Sequence, residues 1–401
     1  MSGLLPLAVA LERMLATIVA RPAREVRPLL TARGAVLAED VMAAIDVPAD
    51  DNSAVDGYAL RTEDLPGPLP VSQRIPAGQT GAELEPGTAA RIFTGAAIPP
   101  GADAVVMQEN CSEKDGLLLV SGSVAPGQNI RPRGQDIMAG ERALQAGRRL
   151  RPQDLGLIAS LGRGQVSVYR PLRVAVLSTG DELVEPGEGA LSAGQLYNSN
   201  RYTLAAFISA LGMEWVDCGI VADDPQATAE ALQQAAARAD CVITSGGVSV
   251  GEEDHVKHQV ERLGRLDLWK LAIKPGKPLA FGSIDDTPFI GLPGNPTSVF
   301  VTFALVARPF LLQLQGLAET ALPTLTARAG FRVTRPGSRQ DYLRVTLERD
   351  GPNLVARRFV NQSSGVLSSV SQSNALAIVP PGVVVETNDE LQVLLLDLLT
   401  S

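Results

Sequence analysis

The sequence is poor in the residues that build disulfide frameworks, zinc sites and histidine-dependent active sites. Of its 401 residues, three are cysteine and two are histidine. Cys111, Cys218 and Cys241 are far apart and form no C-x-x-C pair, so we expect neither a disulfide framework nor a zinc site. His255 and His258 have no third ligand nearby, which leaves a Ser/His/Asp or Cys/His mechanism little to use. Any catalysis must therefore rely on carboxylates, lysines, backbone N–H groups and a bound metal.

The chain also has fewer basic than acidic residues, few aromatic residues, and prolines within its longest uncharged stretch. Lys and Arg number 35 against 44 Asp and Glu, a net charge of −9, which argues against nucleic acid as a partner. Aromatic residues make up 4% of the chain, so we expect an aliphatic core. The longest uncharged stretch, residues 287–307, contains three prolines and is not expected to span a membrane. The N-terminal segment lacks the basic start of a secretory signal. We expect a cytoplasmic protein with no membrane partner.

The pattern of apolar residues divides the chain into four zones. Residues 1 to about 45 are predicted to be helical, because leucines recur there at helical spacing. From Asp46 to about Leu150, short apolar runs alternate with Pro/Gly turns, which predicts a small β-rich region. The zone from Arg173 to about Gly316 alternates strand and helix patterns, and the chain from about Leu322 returns to alternating strands such as residues 331–335. The length alone fits two to four domains.

The strand-and-helix zone predicts a parallel sheet covered by helices on both faces, with functional loops at the carboxyl ends of the strands. Gly212 and Gly264 are placed where helix C-caps belong. Asp224 followed by Pro225 is a favoured helix start.

A glycine-rich loop follows the predicted strand 241–245. Gly246, Gly247 and Gly251 would let backbone N–H groups approach an anion, and an acidic helix start follows at Asp254. The pattern fits a phosphate or oxyanion cradle in which Asp254 holds a divalent cation. The alternative is a tight turn with an acidic helix cap.

Charged residues follow other strands of the same zone. Asp181 and Glu182 follow the strand 173–178 closely, so three carboxylates, those of Asp181, Glu182 and Asp254, could converge on one mouth, unless Asp181 only caps a turn. Lys270, Lys274 and Lys277 stand on a Pro/Gly loop that would suit an anionic ligand, although surface lysines are common.

Four further loops are rich in turn formers and polar groups. Residues 291–298 precede a helix and could point backbone donors at a ligand. Residues 51–59, 91–99 and 129–136 are dense in oxygen ligands, yet each taken alone is typical of a surface turn.

Seven of these segments, in this order, resemble those of one known family. DNSAVDGYAL, RIFTGAAIPPGADAVVMQE, NIRPRGQDI, LSTGDEL, TSGGVSVGEEDHVK, WKLAIKPGKP and GLPGNPTS are similar to motifs of the molybdopterin molybdenumtransferases, the MoeA-type enzymes related to the carboxyl-terminal part of gephyrin. The resemblance implies insertion of molybdate into adenylylated molybdopterin with Mg²⁺-dependent release of AMP, giving molybdenum cofactor. It also implies a homodimer, with the active cleft between the α/β domain of one subunit and the wing of the other.

The resemblance implies a multidomain α/β plus β fold. It divides the chain into an N-terminal linker domain of helical and extended segments (1–45 and 140–172), a β-rich wing (46–139), an α/β molybdopterin-binding domain (173–321) and a C-terminal β-barrel-like domain (322–401).

The resemblance also carries functional positions onto matching residues. The implied catalytic residues are Asp56, Thr94, Asp136, Glu182, Asp254, Lys270 and Lys274. The implied substrate-binding residues are Ser245, Gly246, Gly247, Gly251, Lys277, Pro293, Gly294, Pro296, Arg339 and Ser369, of which the last two match a looser pattern. The implied Mg²⁺ ligands are Glu182, Asp223, Asp224 and Asp254. No covalent nucleophile is assigned, because Mg²⁺ and lysines would neutralise the charge that develops as AMP leaves.

Two other functions stay open. A molybdopterin adenylyltransferase has a related fold, but it would lack the wing segments around Asp56 and Asp136. The present chain has a single TSGG-type loop, so adenylylation is expected to belong to another protein, and other cofactor-synthesis proteins are expected as partners. A non-catalytic scaffold of the gephyrin kind is the second alternative.

Overall fold

The computed structural model describes residues 3–247 and 255–399. Residues 3–45 contain one α-helix, α1 (Leu7–Leu15), which buries Ala10 and Met14, so the prediction of a largely helical segment was wrong. Beta-branched residues and Pro22 follow Leu15 and disfavour further helical turns. Val19, which continues the helical spacing of the leucines in the sequence, is 96% exposed. The chain continues through β1 (Arg24–Pro28), a short 3₁₀ turn (Leu29–Thr31) and β2 (Val41–Met42).

The β-rich zone forms a six-stranded sheet in the order β7-β4-β6-β5-β9-β8, with 3₁₀ turns at Thr62–Asp64 and Gln108–Asn110. Both faces of this sheet are covered, since Tyr58 and Leu60 of β4 enter one apolar cluster and Ala59 enters another. The strands of this zone are β3 (Asn52–Ser53), β4 (Gly57–Leu60), β5 (Leu69–Ile75), β6 (Ala89–Ile92), β7 (Ala104–Met107), β8 (Cys111–Lys114), β9 (Leu117–Val120) and β10 (Ile130–Arg131).

After this sheet the chain returns to the N-terminal segments. It forms β11 (Arg142–Leu144), α2 (Pro152–Ser160) and β12 (Gln165–Tyr169). β11 pairs antiparallel with β2, and β12 pairs antiparallel with β1. The two stretches on either side of the β-rich zone therefore share one small core, which includes Leu37, Leu150 and Ile158.

The strand-and-helix zone forms a six-stranded sheet in the order β16-β13-β17-β21-β20-β18. The first four strands in that order are parallel, as expected, while β20 pairs antiparallel with both β21 and β18 and so runs opposite to the other five strands. The reversal arises because a two-residue turn at Asp285 and Asp286 joins β20 to β21, and Asp285 adopts a positive φ of 49°. The elements are β13 (Arg173–Thr179), β14 (Leu183–Val184), β15 (Leu196–Tyr197), α3 (Ser199–Ala210), β16 (Glu214–Val221), α4 (Pro225–Arg238), β17 (Cys241–Ser245), α5 (His255–Leu263), β18 (Gly264–Lys270), β19 (Ile273–Lys274), β20 (Pro278–Ile284) and β21 (Thr287–Leu292).

The two predicted helix-ending glycines differ. Gly212 follows α3 with a φ of 74°, the left-handed conformation that ends helices. Gly264 instead belongs to β18, where a Cβ atom would overlap the Ser283 carbonyl oxygen of the neighbouring strand. The prediction of a C-cap at Gly264 was wrong, because this glycine allows a close approach of two backbones.

One continuous apolar helix packs against the sheet. It consists of α6 (Pro296–Thr302), a π-helical turn (Phe303–Ala307) and α7 (Arg308–Leu314). The stretch Pro296–Leu314 is the one helix among the described residues that is long and apolar enough to cross a membrane, and 94% of it is buried inside the protein. It thus serves as a core helix, on which α1 packs.

The C-terminal zone closes into a five-stranded barrel. β23 pairs with both β24 and β25, and the ring continues through β22 and β26. The elements are β22 (Leu325–Ala329), β23 (Gln340–Asp350), β24 (Asn353–Arg358), α8 (Ser368–Ser371), β25 (Ala375–Val379), β26 (Glu390–Leu395) and α9 (Leu396–Leu399). The strand expected at 331–335 is reduced to a single bridge between Val333 and Val385. β19 pairs with β23 and so ties the sheet domain to the barrel.

Candidate functional site

A cavity of about 500 Å³ opens at the carboxyl ends of the parallel strands. Ser178 of β13 and Leu292 of β21 are both in register with Ser245 of β17, so the loops after these three strands meet at one edge of the sheet. The cavity is lined by residues from these loops and from the start of α3: Thr179, Glu182, Leu183, Leu196, Tyr197, Asn198, Ser199, Asn200, Ser245, Gly246, Gly247, Pro278, Pro293, Gly294, Asn295, Pro296 and Ser298.

The cavity brings together seven of the residues predicted from the sequence. They are Glu182, Ser245, Gly246, Gly247, Pro293, Gly294 and Pro296. Gly251 and Asp254 lie outside the described residues.

Glu182 is placed by an unusual glycine. Gly180 has a φ of 135°, and a Cβ atom at this position would overlap the Glu182 carboxylate. The Glu182 carbonyl oxygen also accepts a hydrogen bond of 2.8 Å from Leu196 N–H. The carboxylate therefore folds back over the end of β13 and remains exposed to the cavity.

The glycine loop offers fewer backbone donors than the sequence predicts. Gly246 and Gly247 both adopt a positive φ, as a tight turn after β17 requires. However, Gly246 N–H is already donated to the Leu292 carbonyl oxygen at 3.1 Å. Of these two amides, only that of Gly247 has no hydrogen bond within the described residues and is available for a ligand.

Two oxygen atoms of the cavity lining are buried without a partner among the described residues: Asn200 Oδ1 and Ser245 Oγ. Asn200 Nδ2 donates to the Gly294 carbonyl oxygen at 2.8 Å, which orients the amide. Buried polar atoms are normally hydrogen-bonded, so unpartnered ones beside a cavity point to a ligand. Sequence reasoning missed Asn200, although its place at the start of α3, just after a capping asparagine, was a possible signal.

The donor set fits a magnesium ion that also contacts phosphate. In the described part of the chain, no three His, Cys, Asp or Glu residues lie close enough to hold a metal. Mg²⁺, however, often uses one or two carboxylates together with water and substrate phosphates. Glu182 supplies a carboxylate and Asn200 Oδ1 a neutral oxygen of the kind that Mg²⁺ prefers.

The other two described acidic residues predicted as metal ligands do not line the cavity. Asp224 Oδ1 caps α4, accepting hydrogen bonds from Gln226 N–H at 2.9 Å and Ala227 N–H at 2.8 Å. Asp223 N–H donates to Asp181 Oδ1 at 3.2 Å, so these two residues adjoin each other just beyond β16 and β13.

The three predicted lysines are exposed, and none is among the residues that line the described cavity. Lys274 pairs with Asp341 of the barrel at 3.3 Å. Arg339 Nη1 donates to the Ile273 carbonyl oxygen at 3.0 Å, which places Arg339 beside Lys274. The structure therefore groups Lys274 with Arg339 at the junction of the sheet domain and the barrel, while Lys277 precedes the cavity residue Pro278.

Ser369 lies behind the cavity rather than in it. The side chain is fully buried, and its Oγ donates to the Val366 carbonyl oxygen at 2.6 Å. The same carbonyl oxygen accepts a hydrogen bond of 3.0 Å from Thr297 Oγ1, at the start of α6. Ser369 Oγ also accepts from Arg344 Nε at 3.1 Å, and burial lowers the pKa of Arg344 to about 10. Ser369 thus supports the loop that carries Pro293 and Pro296.

Two of the three predicted wing residues, Asp56 and Thr94, contact each other away from this cavity. Asp56 Oδ1 accepts hydrogen bonds from Thr94 N–H at 2.8 Å and Thr94 Oγ1 at 2.7 Å, and these bonds lower the pKa of its exposed carboxyl. The loop of Asp136 contacts the segment that precedes Asp56, because Arg133 N–H donates to Asp51 Oδ1 at 2.7 Å. Asp136 is exposed. These residues are not among those that line the described cavity.

The acidic shift of Asp56 can be tested by removing one of its two hydrogen bonds. In Thr94→Val the hydroxyl is lost and the backbone N–H remains, so we expect the pKa of the Asp56 carboxyl to rise towards 3.8 and stay below it. Because the pKa of Asp56 is lower in the folded than in the unfolded state, the ionised carboxylate stabilises the fold at neutral pH. This contribution to stability is lost as the pH falls through the folded-state pKa. NMR titration of the carboxyl carbon measures this shift. Thr88→Val, at a partly exposed threonine directly before β6, is the control, and an unchanged Asp56 pKa in Thr94→Val would contradict the assignment.

Three protein-family models match the chain. Residues 5–162 match the MoeA N-terminal region, described as domains I and II. Residues 175–313 match a probable molybdopterin binding domain. Residues 326–396 match the MoeA C-terminal region, described as domain IV.

Individual proteins are similar over most of their length. A molybdopterin molybdenumtransferase of Haemophilus influenzae is 44% identical over 321 residues, which cover 79% of both chains. One of Nostoc sp. is 39% identical over 372 residues, covering 89% of this chain and 85% of the relative. The crystal structure of a molybdopterin biosynthesis MoeA protein from Pyrococcus horikoshii OT3 gives a TM-score of 0.86 at 31% identity and covers 98% of this chain and 100% of that one. These comparisons confirm the multidomain α/β plus β fold class.

Proposed function

Because the chain belongs to the molybdopterin molybdenumtransferase family, which inserts molybdenum in molybdenum cofactor synthesis, we propose that its cavity binds adenylylated molybdopterin and takes up molybdate as AMP leaves, in a Mg²⁺-dependent step. The observation that carries this proposal is the joint placement of Glu182, Asn200 Oδ1 and Ser245 Oγ around one cavity at the carboxyl edge of the sheet. A carboxylate beside unpartnered oxygens suits a metal bound to phosphate.

Each residue of the cavity has a role in this proposal. Glu182 and Asn200 hold Mg²⁺, which when bound neutralises charge on the phosphate oxygens. Ser245 Oγ and Gly247 N–H donate hydrogen bonds to phosphate oxygens. Pro293 and Pro296 fix the loop that forms the opposite wall. Asp254 and Gly251 belong to the proposal from the family resemblance alone.

The lysines attract the second anion. Lys270, Lys274 and Lys277 follow one another along the edge of the sheet in a protein of net charge −9, so their positive charge is local. Molybdate is a dianion, and a nearby cluster of ammonium groups raises its local concentration. Arg339 adds a guanidinium beside Lys274.

A second copy of the chain is part of the proposal. Asp56 and Thr94 contact each other at one end of the wing sheet, and neither they nor Asp136 are among the residues that line the described cavity. We infer that they face the cavity of a partner subunit in a homodimer. The pairing of β1 with β12 and of β2 with β11 supports the proposed division into an N-terminal linker domain (1–45 and 140–172) with the wing inserted in it. A cytoplasmic location completes the proposal.

The proposal is tested by incubating the purified protein with adenylylated molybdopterin, molybdate and Mg²⁺ while AMP release and pterin-bound molybdenum are measured. We expect AMP and pterin-bound molybdenum to appear in equal amounts, and both to depend on Mg²⁺. Release of AMP no faster than in a metal-free control would contradict catalysis and favour the scaffold alternative. Pyrophosphate release from ATP and unmodified molybdopterin would identify an adenylyltransferase instead.

A further inference from the structure

A second cavity, of about 530 Å³, opens at the opposite edge of the same sheet. Its lining includes Pro171 and Gly212, which lie two residues before the neighbouring parallel strands β13 and β16. Four arginines contribute to the lining, namely Arg27, Arg33, Arg149 and Arg151, and none of the described aspartates or glutamates does. We call this site the arginine cavity. In a protein with nine more acidic than basic residues, such a concentration of guanidinium groups is local and calls for an explanation.

Arg149 is half-buried and its charge is uncompensated. Its Nε donates to the Gly34 carbonyl oxygen and its Nη2 to the Ala210 carbonyl oxygen, both at 3.3 Å. A guanidinium carries five N–H donors, so three remain without a partner within the described part of the chain. Gly34 and Gly212 flank the group, and Cβ atoms on them would come within 4.0 and 3.8 Å of its nitrogens. The two glycines thus leave the guanidinium uncovered.

The neighbouring arginines divide into paired and unpaired groups. Arg27 pairs with Glu25, and Arg151 pairs with the buried Asp154. Over residues 3–247 and 255–399, no carboxylate lies within ion-pair distance of Arg33 or Arg149. The charges of Arg33 and Arg149 are therefore free to bind an external anion.

A further buried guanidinium stands behind the cavity. Arg308 is one helical turn before the lining residue Leu312 and is 7% exposed. Burial and the nearby charge of Arg149 both lower the pKa of Arg308. Two cations that are partly removed from water and lack a carboxylate partner raise the free energy of the empty site, and a bound anion would offset that cost.

The remaining wall of the arginine cavity is apolar. Tyr169, Pro171, Leu211 and Leu312 line it. The polar side chain of Gln315 is already engaged, because its Oε1 accepts from Leu172 N–H at 2.7 Å and its Nε2 donates to the Arg170 carbonyl oxygen at 2.8 Å. The wall therefore suits the organic part of a ligand whose anionic group faces the arginines.

We propose that the arginine cavity binds a small phosphorylated molecule, with the phosphate held by Arg33 and Arg149 and the organic part against Tyr169 and Leu312. A guanidinium matches a phosphate through two parallel hydrogen bonds, which a lysine cannot provide. This proposal does not depend on the proposed function, since the two cavities lie at opposite edges of the sheet.

The test is calorimetric titration of the full-length protein with inorganic pyrophosphate and, separately, with AMP at low ionic strength. We expect Arg33→Gln and Arg149→Lys each to weaken binding of both probes about tenfold or more, since each removes charge-assisted hydrogen bonds. Arg149→Lys keeps the charge and loses the planar fork. Arg238→Gln, at an exposed arginine on α4, is the matched control and is expected to bind as the unmodified protein does. AMP should bind more tightly than pyrophosphate because it also contacts the apolar wall.

Several results would overturn the proposal. Binding of both probes by Arg33→Gln and Arg149→Lys with unchanged affinity would place the anion elsewhere, including in the cavity of Glu182. Absence of measurable binding at millimolar probe would show that the arginine cavity is covered, for example by a second copy of the chain. Thermal unfolding of each variant confirms that it is folded, and Arg33→Gln is expected to leave Mg²⁺-dependent AMP release unchanged, because Arg33 lies outside the proposed active cavity.

Discussion

Glu182→Gln is expected to slow Mg²⁺-dependent AMP release by about a hundredfold or more while leaving the fold intact. The substitution keeps the size of the side chain and removes the negative charge that holds the metal. Glu182 is exposed to the cavity and makes no recorded side-chain hydrogen bond within the described residues, so its loss should cost little stability. Initial rates at several Mg²⁺ concentrations measure the effect, and raising Mg²⁺ should recover part of the rate, because the variant binds the metal more weakly.

Glu188→Gln is the matched control for this experiment. Glu188 is an exposed carboxylate six positions further along the same connection, and it is not among the residues that line the cavity. We expect its rate to stay within about twofold of the unmodified protein, since exposed surface charges contribute little. If Glu182→Gln were as active as Glu188→Gln at low Mg²⁺, the metal would not be bound by Glu182 and the proposed role of the cavity would be wrong.

The sheet and its cavity could be predicted because both follow from periodicity along the chain. Strand and helix patterns alternated from Arg173 onwards, and such alternation produces parallel strands whose carboxyl ends share one edge. This topology alone brings Glu182, Ser245 and Pro293 together. The reversed direction of β20 was not predicted. The connection from β20 to β21 is a two-residue turn at Asp285 and Asp286, which is too short to show a periodic pattern in the sequence.

Contacts between distant segments limited the other predictions. Gly264 has the sequence context of a helix cap, yet its conformation is decided by Ser283 on the neighbouring strand. Asn200 faces the cavity only because α3 begins at the sheet edge, a placement set by tertiary packing. Ser369 and Arg339 were assigned together, but the barrel places one behind α6 and the other beside Lys274. Residues in loops therefore required the structure.

The barrel influences the cavity through one buried arginine. Arg344 is 1% exposed, and it donates from Nε to Ser369 Oγ and from Nη2 to the Ser363 carbonyl oxygen. In the loop that Arg344 holds, the Ser364 carbonyl oxygen accepts a hydrogen bond of 3.0 Å from Thr297 N–H. Thr297 directly follows Pro296 of the cavity wall. Arg344 thus fixes the start of α6, and we infer that the contribution of Arg344 to the site is positional rather than chemical.

A mixture of two inactive variants is expected to regain activity if the wing acts across a dimer. Asp56→Asn removes the wing carboxylate, and Glu182→Gln removes the cavity carboxylate, so each homodimer should be inactive. In a dissociated and reassociated equal mixture, half of the dimers are mixed, and one of the two clefts in each mixed dimer carries both native residues. About a quarter of all clefts are then intact, so we expect about a quarter of the unmodified AMP release rate.

The alternative geometry gives a distinct result, because a cleft completed by the wing of the same chain would contain one substituted carboxylate in every subunit. The mixture would then stay as inactive as its components, which would contradict the proposed dimer-spanning cleft.

The control is the double variant Asp56→Asn/Glu182→Gln mixed with unmodified protein. In that mixture, a mixed dimer has one substituted carboxylate in each cleft when the wing acts across the dimer, so only the unmodified homodimers remain active. These homodimers are about a quarter of all dimers, so about a quarter of all clefts would be intact. If the wing acts within its own chain, about half of all clefts would be intact instead. The separation arises because Asp56 and its partner Thr94 are held at the end of the wing, apart from the residues that line the cavity of Glu182.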